Sequence, residues 1–188
     1  EEDLNQINEV GSILNESLDS AIYLMNDFLS DEKAEKKIIA QNFSKLRSMN
    51  ISYFPRDGVY NQLLTTGSLE LIIDRDLKAK LMYVYEHAFS RKDAVDNVID
   101  EFGWRSIQAA SGKIWVINKL FSDEASLITT YNKEDILEYF VSKDYYNSQD
   151  LIQFYSHSIT LMNRYKNIIN AIEKDLREIL VLIASEIN

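Results

Sequence analysis

SQDLIQFYSHSITLMNRYKNIINAIEKDLREILVLIASEI, residues 148–187, decides the fold. Its apolar residues fall at Leu151/Ile152, Tyr155, Ile159, Met162, Ile169, Ile172, Leu176, Ile179/Leu180 and Ile183. Spacings of three and four put them on one side of an α-helix. Sustained over about 40 residues, such a helix is about 60 Å long if straight. Ser148 offers an N-cap, and Asp150 an acid near the positive end.

The same pattern recurs upstream. Leu4, Ile7, Val10/Gly11, Leu14, Leu18, Ala21/Ile22, Met25 and Leu29 form one apolar stripe and predict a helix over residues 2–29. Ser30 and Asp31 are placed to cap a second helix over 31–48, with Glu32 near its start and Ile38, Ile39, Phe43 and Leu46 on its buried face. Pro55 disfavours helix at Phe54, and Asp57-Gly58 signals a turn, so residues 50–57 read as a connector. Val59, Tyr60, Leu63 and Leu64 form a short helix over 58–66, which Asp57 can cap and Gly67 can end in a left-handed conformation. Ser68 can cap the turn that follows.

Asp74 and Asp76 open a long helix over 74–121. Leu77, Leu81, Val84/Tyr85, Ala88 and Phe89 begin its apolar face. Val95, Val98, Ile99 and Phe102 continue it, and Ile107, Ala110, Ile114, Ile117 and Phe121 carry it past Gly103. Asn132, followed by Glu134 and Asp135, starts a helix over 132–142. Leu71-Ile72-Ile73 and Trp115-Val116-Ile117 are strand-like runs, but both lie within longer helical patterns and are assigned to helix. The expected fold class is all-α: one domain, residues 1–188, forming a single elongated helical bundle with long antiparallel helices.

Composition narrows the function classes. A chain of 188 residues buries a core without disulfides or metals. Apolar residues make up 46%, which excludes a disordered chain, and one Pro and five Gly suit long helices. The net charge is −10, with ten acids and five bases in residues 1–50. Such a chain repels phosphate backbones, so nucleic acid is not expected as a partner. Lys33, Lys36 and Lys37 read as a solvated face rather than a basic patch. With no Cys, thiol catalysis, disulfides and Cys-based metal sites are excluded. The longest aliphatic run, Ile179 to Ala184, has six residues against the roughly 20 of a spanning helix. No signal peptide is visible. The chain begins at Glu1 rather than Met, as expected of a fragment or a processed product with a targeting or anchoring segment upstream.

No catalytic motif emerges, and no catalytic, cofactor-binding or metal-binding residue is assigned. A zinc hydrolase would show H-E-x-x-H, but the two histidines, His87 and His157, are seventy residues apart. A di-iron bundle needs Glu three residues before its ligand histidines, where Val84 and Phe154 stand. The glycines form no phosphate-binding loop, and no G-x-S-x-G elbow occurs. Asp93, Asp96, Asp100 and Glu101 are spaced for a solvated helix face rather than a calcium loop. Thirty acids allow many carboxylate pairs, so none stands out. Tyr60, Tyr83, Tyr85, Tyr139, Tyr155 and Tyr165 are expected in or beside the core, and Tyr145 and Tyr146 in an exposed connector.

The segment from Tyr53 to Ile72 carries a distinctive order: Pro55-Arg56-Asp57-Gly58, then Tyr60 with Leu63 and Leu64, then Gly67-Ser68 and Leu69-Glu70-Leu71-Ile72. It resembles a block in an uncharacterised bacterial family with an N-terminal transmembrane helix and a helical extracytoplasmic region. The match is specific over roughly residues 53–85. The resemblance implies a membrane-anchored, extracytoplasmic location through a segment absent from this chain, and carries no activity. The expected function is a non-enzymatic sensory or protein-interaction domain without a cofactor. The competing reading is a helical small-molecule binder or enzyme that uses carboxylates and tyrosines inside the bundle. That reading requires a pocket with convergent polar groups and a perturbed carboxylate. Residues 1–31 hold eight acids and no bases, so a monomer or weak homodimer is expected, with association strengthened by salt.

Overall fold

The computed structural model describes residues 2–46, 51–110, 112–118 and 136–187. In chain order these form helices α1 (Glu2–Leu29), α2 (Lys36–Leu46) and α3 (Gly58–Thr65), then a 3-10 turn (Ser68–Leu71). Helix α4 (Arg75–Met82), a π-helical turn (Tyr83–Ala88) and α5 (Phe89–Ala110) follow without a break. Strands β1 (Ile114–Asn118) and β2 (Ile136–Val141), a 3-10 turn (Tyr145–Asn147) and helix α6 (Gln149–Ile187) complete the chain. The protein is therefore mainly α with a two-stranded antiparallel sheet. It divides into two compact units, the first from Glu1–Gly11, Ser52–Val98 and Arg164–Asn188, the second from Ser12–Ile51 and Ile99–Asn163.

The two longest helices bury heptad seams. On α6 the seam runs through Leu151, Tyr155, Ser158, Met162, Tyr165, Ile169, Ile172, Leu176 and Ile179, all buried and in alternating steps of four and three, with Phe154 buried beside it. On α1, Ile7, Val10, Leu14, Ser17, Ala21 and Leu24 do the same. Each fully buried Leu or Ile contributes about 1.5–3 kcal/mol. Two serines enter the seams. The Ser17 hydroxyl donates to the Lys45 carbonyl at 3.0 Å, which satisfies it inside the second unit.

In the first unit, the core joins Leu4, Ile7 and Val10 to Tyr53, Tyr60, Leu69, Leu77, Val84, Phe89, Tyr165, Ile169, Ile172, Leu176 and Ile179. Tyr53 is pinned on both sides of its backbone. Its N–H donates to the Tyr165 hydroxyl at 2.9 Å, and its carbonyl accepts from Lys92 Nζ at 2.8 Å. Lys92 is 1% exposed and also donates to Asp96 at 2.6 Å and Asp93 at 2.8 Å. Asp93, Asp100 and Glu101 are exposed as expected of a solvated face, but Asp96 is buried, because the ammonium of Lys92 compensates its charge. Gly67 has φ +70° and ends α3 in the left-handed conformation the sequence called for. Asp74 caps α4 by accepting the N–H groups of Asp76 and Leu77.

The second unit holds the main departure from expectation. Trp115-Val116-Ile117 is strand rather than helix, and so is most of the helix expected over 132–142. The helix expected to reach 121 stops at Ala110. Ile114 pairs with Val141, Trp115 with Phe140 and Val116 with Tyr139, with an irregularity between Ile117 and Asn118. Burial alternates along β1, where Ile114 and Val116 are buried and Trp115 and Ile117 exposed; on β2, Val141 is buried while the adjacent Tyr139 and Phe140 are both exposed. The buried face lies against α2, and the Trp115 and Phe140 rings stack at 5.8 Å on the outer face. β-branched and aromatic residues suit such a half-buried surface, and here tertiary pairing overrides a helix-compatible spacing. Phe121, Asn132, Glu134 and Asp135, assigned to helix from the sequence, lie outside the described residues, as do positions 47 and 48.

Several local expectations are also corrected. Helix α2 starts at Lys36 rather than after Asp31. Lys33 Nζ instead folds back onto the carbonyls of Asp27, Phe28 and Ser30, satisfying the end of α1, and the Asp27 carboxylate accepts the Ala34 N–H at 2.7 Å. Those bonds hold residues 30–35 as a C-terminal capping loop. The Asp57 side chain makes no capping bond, since Asp57 itself is in a helical conformation and its carbonyl takes the N–H of Asn61. At α6, the Ser148 carbonyl rather than its hydroxyl takes the N–H groups of Leu151 and Ile152. Leu71 lies in the 3-10 turn, whereas Ile72 is extended and leads into the Asp74 cap.

Candidate functional site

A cavity of about 280 Å³ lies inside the first unit, partly open to solvent. Six elements surround it. Helix α1 contributes Asp3 and Leu4, and α3 contributes Val59, Tyr60 and Leu63. The extended segment gives Ile72, α4 gives Leu77 and Leu81, the π turn gives Tyr85, and α6 gives Leu176, Ile179, Leu180 and Ile183. The wall is thus mostly aliphatic, with two phenols and one carboxylate. Such a balance, many apolar groups with a few placed polar ones, is what small-molecule sites share. Its volume is at the lower end of their range.

The π turn sets the aromatic side. One extra residue per turn widens the helix at Tyr83–Ala88, where the Phe89 N–H reaches the Val84 carbonyl. Tyr85 thereby stacks on Tyr60 with ring centroids 4.5 Å apart and planes 11° apart, and Tyr85 meets Phe89 edge-on at 5.0 Å. From the same turn, Glu86 accepts the Tyr60 hydroxyl at 2.7 Å. Pi turns inside α-helices are frequent at functional sites.

Electrostatics keep the phenols protonated. Burial, followed by the hydrogen bond to Glu86, pushes the Tyr60 phenol up to about 12. Burial, followed by the charges of Asp3 and Asp57, raises that of Tyr85. Both rings therefore act as neutral hydrogen-bonding groups at neutral pH. Asp3 Oδ1 accepts the backbone N–H of Arg56 at 3.0 Å, while the Arg56 guanidinium bonds the Glu2 carboxylate. Asp3 pairs with no lysine or arginine among the described residues. Lys80, on α4, bonds Asp175 at 2.6 Å and Glu178 at 2.5 Å on α6, which raises the affinity of its amine for the proton.

Two other polar clusters read as structural. Lys92 with Asp93, Asp96 and the Tyr53 carbonyl forms a cluster whose charges pair with one another. In the second unit, Tyr145 and Tyr155 are fully buried with hydroxyls 3.2 Å apart. Phe28 packs edge-on against Tyr145, and Lys33 lies 4.5 Å from the Tyr146 ring centre. Burial followed by the Asp27 charge pushes the Tyr146 phenol up to about 12. Tyr145, expected to be exposed, is buried because Phe28 and Tyr155 enclose it. Tyr83 and Tyr139, expected in or beside the core, are exposed, although Tyr139 pairs with the buried Val116.

His87 lies 6.3 Å from the Tyr83 ring in the first unit, and His157 meets Phe102 edge-on in the second. Among the described residues no three His, Asp or Glu side chains converge as a metal site. No described helix is long and apolar enough to cross a membrane. Sequence reasoning placed Tyr60 and Tyr85 in or beside the core but did not foresee the cavity or the π turn. The available signal was the doubled apolar positions, Val84/Tyr85 and Ala88/Phe89, which broaden the stripe where the helix widens. No protein-family model, curated protein or solved structure matches the chain.

Proposed function

We propose that the chain is a non-enzymatic sensory domain whose first unit binds a small, largely apolar molecule. The observation that carries this reading is the cavity, aliphatic on most sides and edged by the stacked Tyr60–Tyr85 pair and Asp3. One lining carboxylate does not provide the two-carboxylate arrangement of acid–base hydrolysis. Phenols held in their acid form hydrogen-bond a ligand rather than accept a proton from it. The π turn gives binding a route to the fold, since a ligand pressing on Tyr85 acts on α4 and α5 at the place where their hydrogen-bond ladder is already irregular. The domain belongs to a membrane-anchored, extracytoplasmic bacterial protein, a placement supported by the resemblance of residues 53–72. A stretch of about 20 apolar residues encoded ahead of Glu1 in the full gene is the expected finding.

Scanning calorimetry with 1-octanol tests the binding claim. A ligand that binds only the native state at 100 times its Kd stabilises it by about 2.7 kcal/mol. The transition temperature should therefore rise with octanol concentration in the native protein. It should not rise in Leu63→Trp, whose indole fills the space. An unchanged or lowered transition in the native protein contradicts the proposal.

A further inference from the structure

We propose that the cavity takes a medium-chain alkyl cation, an amine or quaternary ammonium with a tail of about eight carbons. The inference rests on the binding reading above and specifies its ligand. Size comes first. An apolar cavity of about 150 Å³ holds benzene, which scales to room for about eleven carbon-sized atoms in 280 Å³. An eight-carbon chain with its nitrogen fits within that. The aliphatic wall from α4 and α6, including Leu77, Leu81, Ile179 and Ile183, matches a saturated tail.

Charge decides the head group. Asp3 is the charged residue lining the cavity among the described residues, and its bond to the Arg56 N–H places it near the start of α3, the helix that carries Tyr60. It interacts with the backbone N–H of Arg56 and the Tyr53 phenol, both neutral, which leaves its negative charge without an ionic partner. The nearby cations are already engaged: Arg56 with Glu2, Lys78 with Glu70, and Lys80 with Asp175 and Glu178. Asp57 and Glu86 add further negative charge on the tyrosine side. A carboxylate head would meet these acids unshielded. A cation gains the Asp3 charge beside electron-rich rings, a setting of the kind that recognises alkylammonium groups elsewhere.

Isothermal titration calorimetry at pH 7 and low salt tests this, with octylammonium, octyltrimethylammonium, 1-octanol and octanoate against the native protein and Asp3→Asn. Asparagine keeps the acceptor for the Arg56 N–H while removing the charge. Octylammonium should bind about tenfold more tightly than octanol, in line with one charge-assisted contact, and octanoate most weakly. In Asp3→Asn, octylammonium should fall to the octanol level while octanol stays unchanged. Equal binding of octanol and octylammonium, or a cation preference that survives in Asp3→Asn, overturns the cation proposal and leaves the cavity reading standing. Failure of all four ligands overturns both.

Discussion

Replacing Lys92 by Met tests the account of the first unit's core. Methionine keeps the unbranched stem, so the change leaves little empty volume. It removes the ammonium that serves the Tyr53 carbonyl, Asp96 and Asp93. Asp93 is 65% exposed on its side chain and regains water, so its loss is small. Asp96 is 12% exposed on its side chain and cannot, so it is left as a buried charge without its counter-ion. Breaking such a pair costs about 3–5 kcal/mol. For a chain of this size that corresponds to a fall of about 10 °C in transition temperature. Urea unfolding followed by far-ultraviolet circular dichroism measures it. The double variant Lys92→Met/Asp96→Leu removes both charges. It should recover most of the loss, retaining about 1–3 kcal/mol for the Tyr53 carbonyl left without its donor. A single-variant cost below about 1 kcal/mol, or losses that simply add in the double variant, would refute the reasoning.

Other outcomes follow from the same geometry. Gly67→Ala meets no atom within 4 Å of its new Cβ, so its cost is the left-handed backbone alone, about 1–2 kcal/mol in urea unfolding. Unfolded phenols ionise near pH 10, whereas Tyr60 is pushed up to about 12 and burial raises Tyr53, Tyr145, Tyr155 and Tyr165. Native stability should accordingly be whole below about pH 10 and fall as pH rises toward 12, with phenolate absorbance appearing together with loss of helix. Independent, gradual ionisation of the folded protein would contradict that linkage. Sedimentation equilibrium should find a monomer or weak dimer whose association grows with salt, because residues 1–31 hold eight acids and no bases; a tight low-salt dimer that salt dissociates would oppose it.

Much of the helical architecture is legible in the chain. Seams on α1 and α6 repeat within their own helices, and Gly67 and Asp74 act on their immediate neighbours, so local spacing and chemistry suffice. The strands are different. Ile114 and Ile117 keep a helical spacing of three while Ile114 and Val116 keep a period of two, and only pairing with residues 136–141 separates the two readings. That partner is distant in sequence and carries no periodic signature at β1. Burial of Asp96 and Tyr145 escaped for a related reason. A charged or connector residue reads as exposed until Lys92 in one case, or Phe28 and Tyr155 in the other, is brought against it. The candidate site was the least legible feature. Its lining gathers Asp3, Tyr60, Leu81, Tyr85 and Ile179 from separate elements, each of which taken alone looks like ordinary core.

Methyl-resolved NMR during titration with octylammonium tests the central claim most directly. The account predicts saturable shifts at the methyls of Leu77, Leu81, Ile179 and Ile183, which line the cavity, with Ile39, Leu151 and Val141 of the second unit unmoved. Shifts confined to the second unit, or none up to the ligand's solubility, would contradict it.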